Sequence, residues 1–217
     1  MYSIRNLSPK CTQKVNNLET MKLAKSIDRD YRSLRNYFHK KFELMEIALT
    51  EDEAAPTVAE DADADKSQAA YHGFSHLIKP DMLMNTYSYW EFWAKNLCDY
   101  QKYKRDLPQI CRRTKGKSAL QVFHEYLTGY VGIDLSAVQD SRDRIDDLRR
   151  VRNKFMHNGG YISDKEEDEY CLIEGISINI FPYKKEGLMS SLITIEYAFI
   201  WSTLDHAKVY LYTAAIA

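Results

Sequence analysis

The sequence predicts an all-α fold with a minor β excursion, and three observations predict it. Only eight glycines and five prolines punctuate the 217 residues, too few turn signals for a many-stranded sheet. Apolar residues recur every three or four positions over several long stretches, the period of an amphipathic helix. One short run, Ile176-Ser-Ile-Asn-Ile-Phe181, alternates with the period of two that a strand requires. With 45% apolar and 28% charged residues the chain has an ordinary globular balance. Its length suits a single domain, 1–217.

The first helix is expected from about Leu18 to Leu49, where Leu18, Met21, Ala24, Ile27, Tyr31, Leu34, Phe38, Phe42 and Met45 form one stripe. Residues 51–65 then hold seven acids and no base. With Pro56 and no large apolar residue except Val58, this segment cannot bury enough surface to offset its ordering entropy. A mobile acidic loop at about 51–68 is therefore expected inside the domain. Pro80 and Asp81 suit a first helical turn, and the helix they open, to about Tyr103, is apolar almost all round and so central to the core. Shorter helices are expected over Ser118–Tyr130 and Ser136–His157, the second stopped by Asn158, Gly159 and Gly160. Cys171-Leu-Ile173 is expected to pair with 176–181 as a small β-hairpin. A last, strongly apolar helix is expected over Ser190–Ala215.

Mean hydropathy is −0.50, and no run approaches the ~18 apolar residues of a bilayer span. The opening MYSIRNLSPK lacks the apolar region of a secretory signal. Four scattered cysteines, Cys11, Cys98, Cys111 and Cys171, have no C-x-x-C spacing. They are expected as reduced thiols of a cytoplasmic protein with no membrane contact and no cofactor. His72 and His76 stand four apart in HGFSH, but the H-E-x-x-H glutamate is missing, so no metal is expected. No P-loop, dinucleotide glycine pattern or G-x-S-x-G occurs.

The net charge of −1 conceals an uneven distribution. Without residues 51–65 the chain carries a formal charge of about +6. From Lys102 to Lys117, Lys102, Lys104, Arg105, Arg112, Arg113, Lys115 and Lys117 face only Asp106. Such a stretch suits a polyanion, because each base near a phosphate releases condensed counterions. It equally suits a solvated connector between helices.

Chemistry concentrates in DSRDRIDDLRRVRNKFMHNGG. On a helical projection Val138, Ile145, Leu148, Val151, Phe155 and Met156 share one side, and Arg152 falls inside that stripe. A guanidinium is seldom buried without a partner. Arg152 is therefore expected to meet an internal carboxylate, or to line a cleft or subunit interface. Asn153 and His157 are four apart and share a neighbouring face. His157 also sits at the helix C-terminus, where the dipole favours its protonated form.

Arg152-Asn153-Lys154-Phe155-Met156-His157 resembles the R-polar-x-x-x-H signature of HEPN domains, small α-helical proteins of which many are metal-independent ribonucleases. The glycines after it, and a short hairpin before a last helix, agree with that organisation. Tyr87-Ser-Tyr-Trp-Glu-Phe-Trp-Ala-Lys-Asn-Leu97 resembles the earlier HEPN helix, whose aromatic run contains one glutamate, here Glu91. The resemblance implies a HEPN-like bundle acting as an endoribonuclease, with Arg152, Asn153, His157 and Glu91 as catalytic residues. In HEPN nucleases two protomers face both motif helices into one cleft, so a homodimer is implied. Glu91 would hold Arg152 by an ion pair or assist proton transfer. The basic stretch, with Arg149 and Lys154 beside the motif, would contact RNA, and Tyr126, Tyr130 and Tyr161 would stack on bases. The resemblance further implies a toxin or antiphage-defence role, with an antitoxin or second defence protein as partner. The alternative is a non-catalytic HEPN adaptor or nucleotide-binding regulatory module, in which Arg152 and Glu91 are a structural pair and His157 a helix cap.

Overall fold

A computed structural model of the chain describes residues 9–54, 62–180 and 191–217. The fold is mostly α-helical with one small antiparallel sheet. Two long helices, α1 (Pro9–Ala54) and α2 (Ala62–Lys104), lead into the short α3 (Ala119–Glu125), which continues as a π-helical turn over Tyr126–Tyr130. A 3-10 turn at Ser136–Val138 opens α4 (Gln139–Asn158), followed by β1 (Tyr161–Ile162) and α5 (Asp164–Cys171). The chain ends with β2 (Ile176–Ile180), β3 (Ser191–Ile195) and α6 (Tyr197–Ile216). Among the described residues, no helix is long and apolar enough to cross a membrane.

Several expected boundaries are corrected. Both long helices reach into the acidic segment: residues 51–54 close α1 and 62–68 belong to α2. The rest of the expected loop, 55–61, lies outside the described residues. Pro80 sits inside α2 rather than at its start. It removes one backbone bond, but Met82 and Leu83 on the next turn are completely buried, and that packing carries the helix through. The expected hairpin partner is wrong as well. Cys171 ends α5, and β2 pairs instead with β3, from Ile176 opposite Ile195 to Ile180 opposite Ser191. Ser191-Leu-Ile-Thr-Ile195, expected as the start of the last helix, is thus a strand with buried and half-buried residues in alternation. Its β-branched residues fit a pleated surface better than a helix.

The chain divides into two compact units, and α1, α2, α4 and α6 contribute residues to both. One unit comprises Met1–Arg32, Ser88–Asp146 and Asp205–Ala217. Its core is aromatic: Trp90 is completely buried, with Phe123 edge-on at 5.9 Å and Tyr210 at 6.4 Å between ring centroids. The Tyr210 hydroxyl meets His124 Nδ1 at 3.0 Å. Helix α3 starts at a capping box in which Ser118 and Gln121 satisfy each other's backbone N–H groups.

The other unit comprises Ser33–Tyr87 and Asp147–Leu204. The sheet has strand order β1-β3-β2. Ile162, Ile176, Ile193 and Ile195 are buried, as are Phe38, Leu148, Val151, Phe199 and Ile200. A capping box opens α5 too: Glu166 accepts from the Ser163 N–H at 3.1 Å and from its hydroxyl at 2.9 Å.

Candidate functional site

The motif residues occupy the last two turns of α4, within the sheet-bearing unit. Leu148 and Val151 are completely buried and anchor this end of the helix. The apolar stripe does not continue to the terminus, because Phe155 is half-buried and Met156 is 50% exposed. The two glycines after the helix explain where it stops. Gly159 and Gly160 have φ of +62° and +87°, and Gly160 lies so close to the Phe155 ring that a Cβ there would sit 2.6 Å from Cε1. The chain therefore turns sharply under Phe155 into β1.

Arg152 is half-buried. Its guanidinium stands over the Tyr87 ring at 5.5 Å, and one terminal nitrogen donates to Asn153 Oδ1 at 2.9 Å. Its Nε is buried without a hydrogen-bond partner among the described residues. Stacking on a phenol ring is a natural way to hold a guanidinium, and it leaves other N–H donors able to meet oxygens from outside. Asn153 is half-buried and His157 is exposed, one turn apart at the end of α4. Tyr87 looked in the sequence like a core aromatic only. It is buried, but it also carries the arginine, and the arginine's place inside an apolar stripe was the signal that some such support existed.

The neighbouring bases are occupied. Lys154 pairs with Glu166. The ammonium of Lys154, with the Ser163 backbone N–H, holds the Glu166 carboxyl down at about 2. Arg150 meets Glu169 at 2.5 Å and Asp147 at 3.4 Å, and stands over the Tyr170 ring. Helix α5 therefore neutralises two of the cations beside the motif, and Lys154 is engaged within the protein rather than extended toward solvent. Arg149 is half-buried.

Glu91 lies in the other unit, where its carboxylate pairs with Arg113. The Arg152–Glu91 pair expected from the sequence is thus not the bond either residue makes. The basic stretch belongs to that same unit, and several of its members are also engaged. Arg105 donates to the Val131 carbonyl at 2.7 Å, and Lys104 reaches Thr20 Oγ1 at 3.1 Å. Lys117 meets Glu125 at 2.6 Å, and Lys102 is half-buried. Arg112, Arg113, Lys115 and Lys117 are exposed.

The three candidate stacking residues differ. Tyr126 is buried, stacks on Tyr130 at 5.4 Å and donates to the Gln109 carbonyl at 2.9 Å, which makes it a structural residue. Tyr130 and Tyr161 remain 38% and 39% exposed, and Tyr161 follows Gly160 directly. The side chains of His72 and His76 lie outside the described residues. Compared with the models of known families, with curated proteins and with solved structures, the chain gives no significant match.

Proposed function

We propose that the chain is a metal-independent endoribonuclease of HEPN type, acting on RNA as a homodimer in toxin or antiphage-defence chemistry. The observation that carries this reading is the state of Arg152. A half-buried guanidinium, stacked on Tyr87 and tied to Asn153, with a buried Nε that has no partner among the described residues, is positioned by a ring and an amide with no carboxylate bond among the described residues. An exposed histidine stands at the end of the same helix.

In the proposed reaction the ribose 2′-hydroxyl attacks the adjacent phosphorus and the 5′ oxygen leaves with a proton, giving a 2′,3′-cyclic phosphate. His157 exchanges that proton, a role suited to an imidazole, whose ring nitrogens can both donate and accept one. Arg152 donates to the non-bridging oxygens as charge accumulates on the phosphorane. The amide nitrogen of Asn153 orients phosphate or ribose while its oxygen holds Arg152. The second protomer supplies the same set from the opposite side of the cleft. Glu91, engaged by Arg113, is left out of the catalytic set.

A non-catalytic HEPN module is favoured by a separate observation, the internal engagement of Lys154, Arg105 and Lys117. Purified chain incubated with cellular RNA in EDTA separates the two. The nuclease reading expects cyclic-phosphate ends, with Arg152→Ala and His157→Ala each slowing cleavage by ~10²–10⁴. Wild-type cleavage by either folded variant, or none by the parent chain, overturns it.

A further inference from the structure

Helices α1 and α6 meet in the sheet-bearing unit through rings that reach the surface. On α1, Arg35, His39 and Phe42 follow one another at four and three residues and so share one face. On α6, Tyr197 and Trp201 are one turn apart. The exposed His39 ring stacks on half-buried Trp201, with 4.6 Å between centroids and 26° between planes. Phe42 stands edge-on to both α6 rings, 4.4 Å from Tyr197 and 5.6 Å from Trp201. Two cations lie over the same rings. The Arg35 guanidinium is 5.3 Å from the Trp201 centroid, and the Lys79 ammonium of α2 is 4.5 Å from that of Tyr197. Phe38, completely buried and 6.3 Å from Trp201, backs the cluster. Core packing accounts for Phe38 and Phe42. It does not account for rings left open to solvent, Tyr197 at 41% exposure and His39 stacked outward on Trp201.

We infer that this surface holds single-stranded RNA, with bases stacking on the His39–Trp201 pair and on Tyr197 while Arg35 and Lys79 meet the intervening phosphates. Such a surface deepens the ribonuclease reading, from which it takes RNA as its polymer, by placing substrate binding on the unit that carries the motif. Unpaired bases are the fitting partner, because every base has a π-face and a duplex hides those faces. Phe38 and Phe42 already hold the rings in place, so little freedom is lost when a base settles on them. Glu43 and Glu196, both exposed and next in sequence to Phe42 and Tyr197, offset the two cations. Stacking therefore carries most of the affinity. The salt dependence is shallow, since its slope follows the number of phosphates neutralised.

Tryptophan fluorescence of the full chain, titrated with a single-stranded 2′-O-methyl oligoadenylate that cannot be cleaved by its own 2′ oxygen, tests this. Of the three tryptophans, Trp90 is completely buried and Trp93 is 8% exposed, so quenching reports half-buried Trp201. Saturable quenching is expected, with the same sequence in a duplex binding far more weakly. His39→Ala and Tyr197→Ala, at exposed positions, should each weaken binding ~5–100-fold while circular dichroism shows the fold intact. Raising salt from ~50 to ~200 mM should cost ~10-fold or less. A chain that binds through these rings yet leaves unmodified RNA uncut keeps this surface and loses the nuclease reading. Unquenched Trp201, or unchanged affinity in both folded variants, overturns the surface even where the chain cleaves RNA. Equal competition by polyglutamate overturns the nucleic-acid assignment in favour of an acidic protein partner.

Discussion

At the scale of single residues, Arg152 and the turn that ends α4 are held by contacts with an aromatic ring, an amide and a glycine. Arg152 rests on Tyr87 and Asn153, and Phe155 rests on the backbone of Gly160. Gly160 has two reasons to be glycine. Its φ of +87° disfavours any side chain, and a Cβ would fall 2.6 Å from the Phe155 ring. Gly160→Ala should therefore cost about 1–3 kcal/mol and shift the urea midpoint accordingly. Because Phe155 and Met156 lie between Asn153 and His157, the same substitution should also lower any cleavage activity by displacing the helix end. An unchanged midpoint would mean that the Phe155 ring swings aside without penalty and that the turn tolerates a side chain.

At the scale of elements, α5 is the counterpart of the motif helix. Its acids Glu166 and Glu169 take Lys154 and Arg150, while Arg152 on the same helix is held by a ring and an amide. Glu166 joins the two helices, since it also closes the capping box on Ser163. Its pKa is depressed from an ordinary 4.5 to about 2. A carboxylate held down in the folded state contributes stability that is complete above the unfolded value and is lost as pH falls through the folded one. The intact chain should then lose this contribution between pH 4.5 and 2. Because both side chains are partly exposed, its size should be about 1 kcal/mol. Glu166→Gln should be less stable than the parent near neutrality and converge on it in strong acid. Denaturant midpoints at both ends of the window check this; a constant difference between the two proteins would show that Glu166 acts through packing and capping alone.

At the scale of the whole molecule, the nuclease proposal requires a second copy, because one motif helix supplies each group only once. A half-buried Arg152 beside an exposed Met156 at the end of a stripe fits a surface completed by a partner helix across a two-fold axis. Light scattering should give a mass near twice 25.4 kDa at micromolar concentration. RNA cleavage by a species of monomer mass would rule out the composite cleft while leaving Arg152 and His157 to be tested on their own.

The mostly helical class, the position of α4 and its glycine stop were legible because periodicity and capping are local properties, written in neighbouring residues. The α5 capping box was equally present, as Ser163 followed three residues later by Glu166, but its acidic run has no apolar stripe to announce a helix. The strand at Ser191–Ile195 was not legible, since an apolar β-branched run before a helix reads either way until a partner strand claims its backbone. The sequence by itself determined which groups end α4 and that Arg152 needed support. Only the tertiary structure decided that the support was a ring and that Glu91 went to Arg113. The reason is that a side chain's partner is set by which elements pack together, and sequence spacing encodes neighbours along an element but not across one.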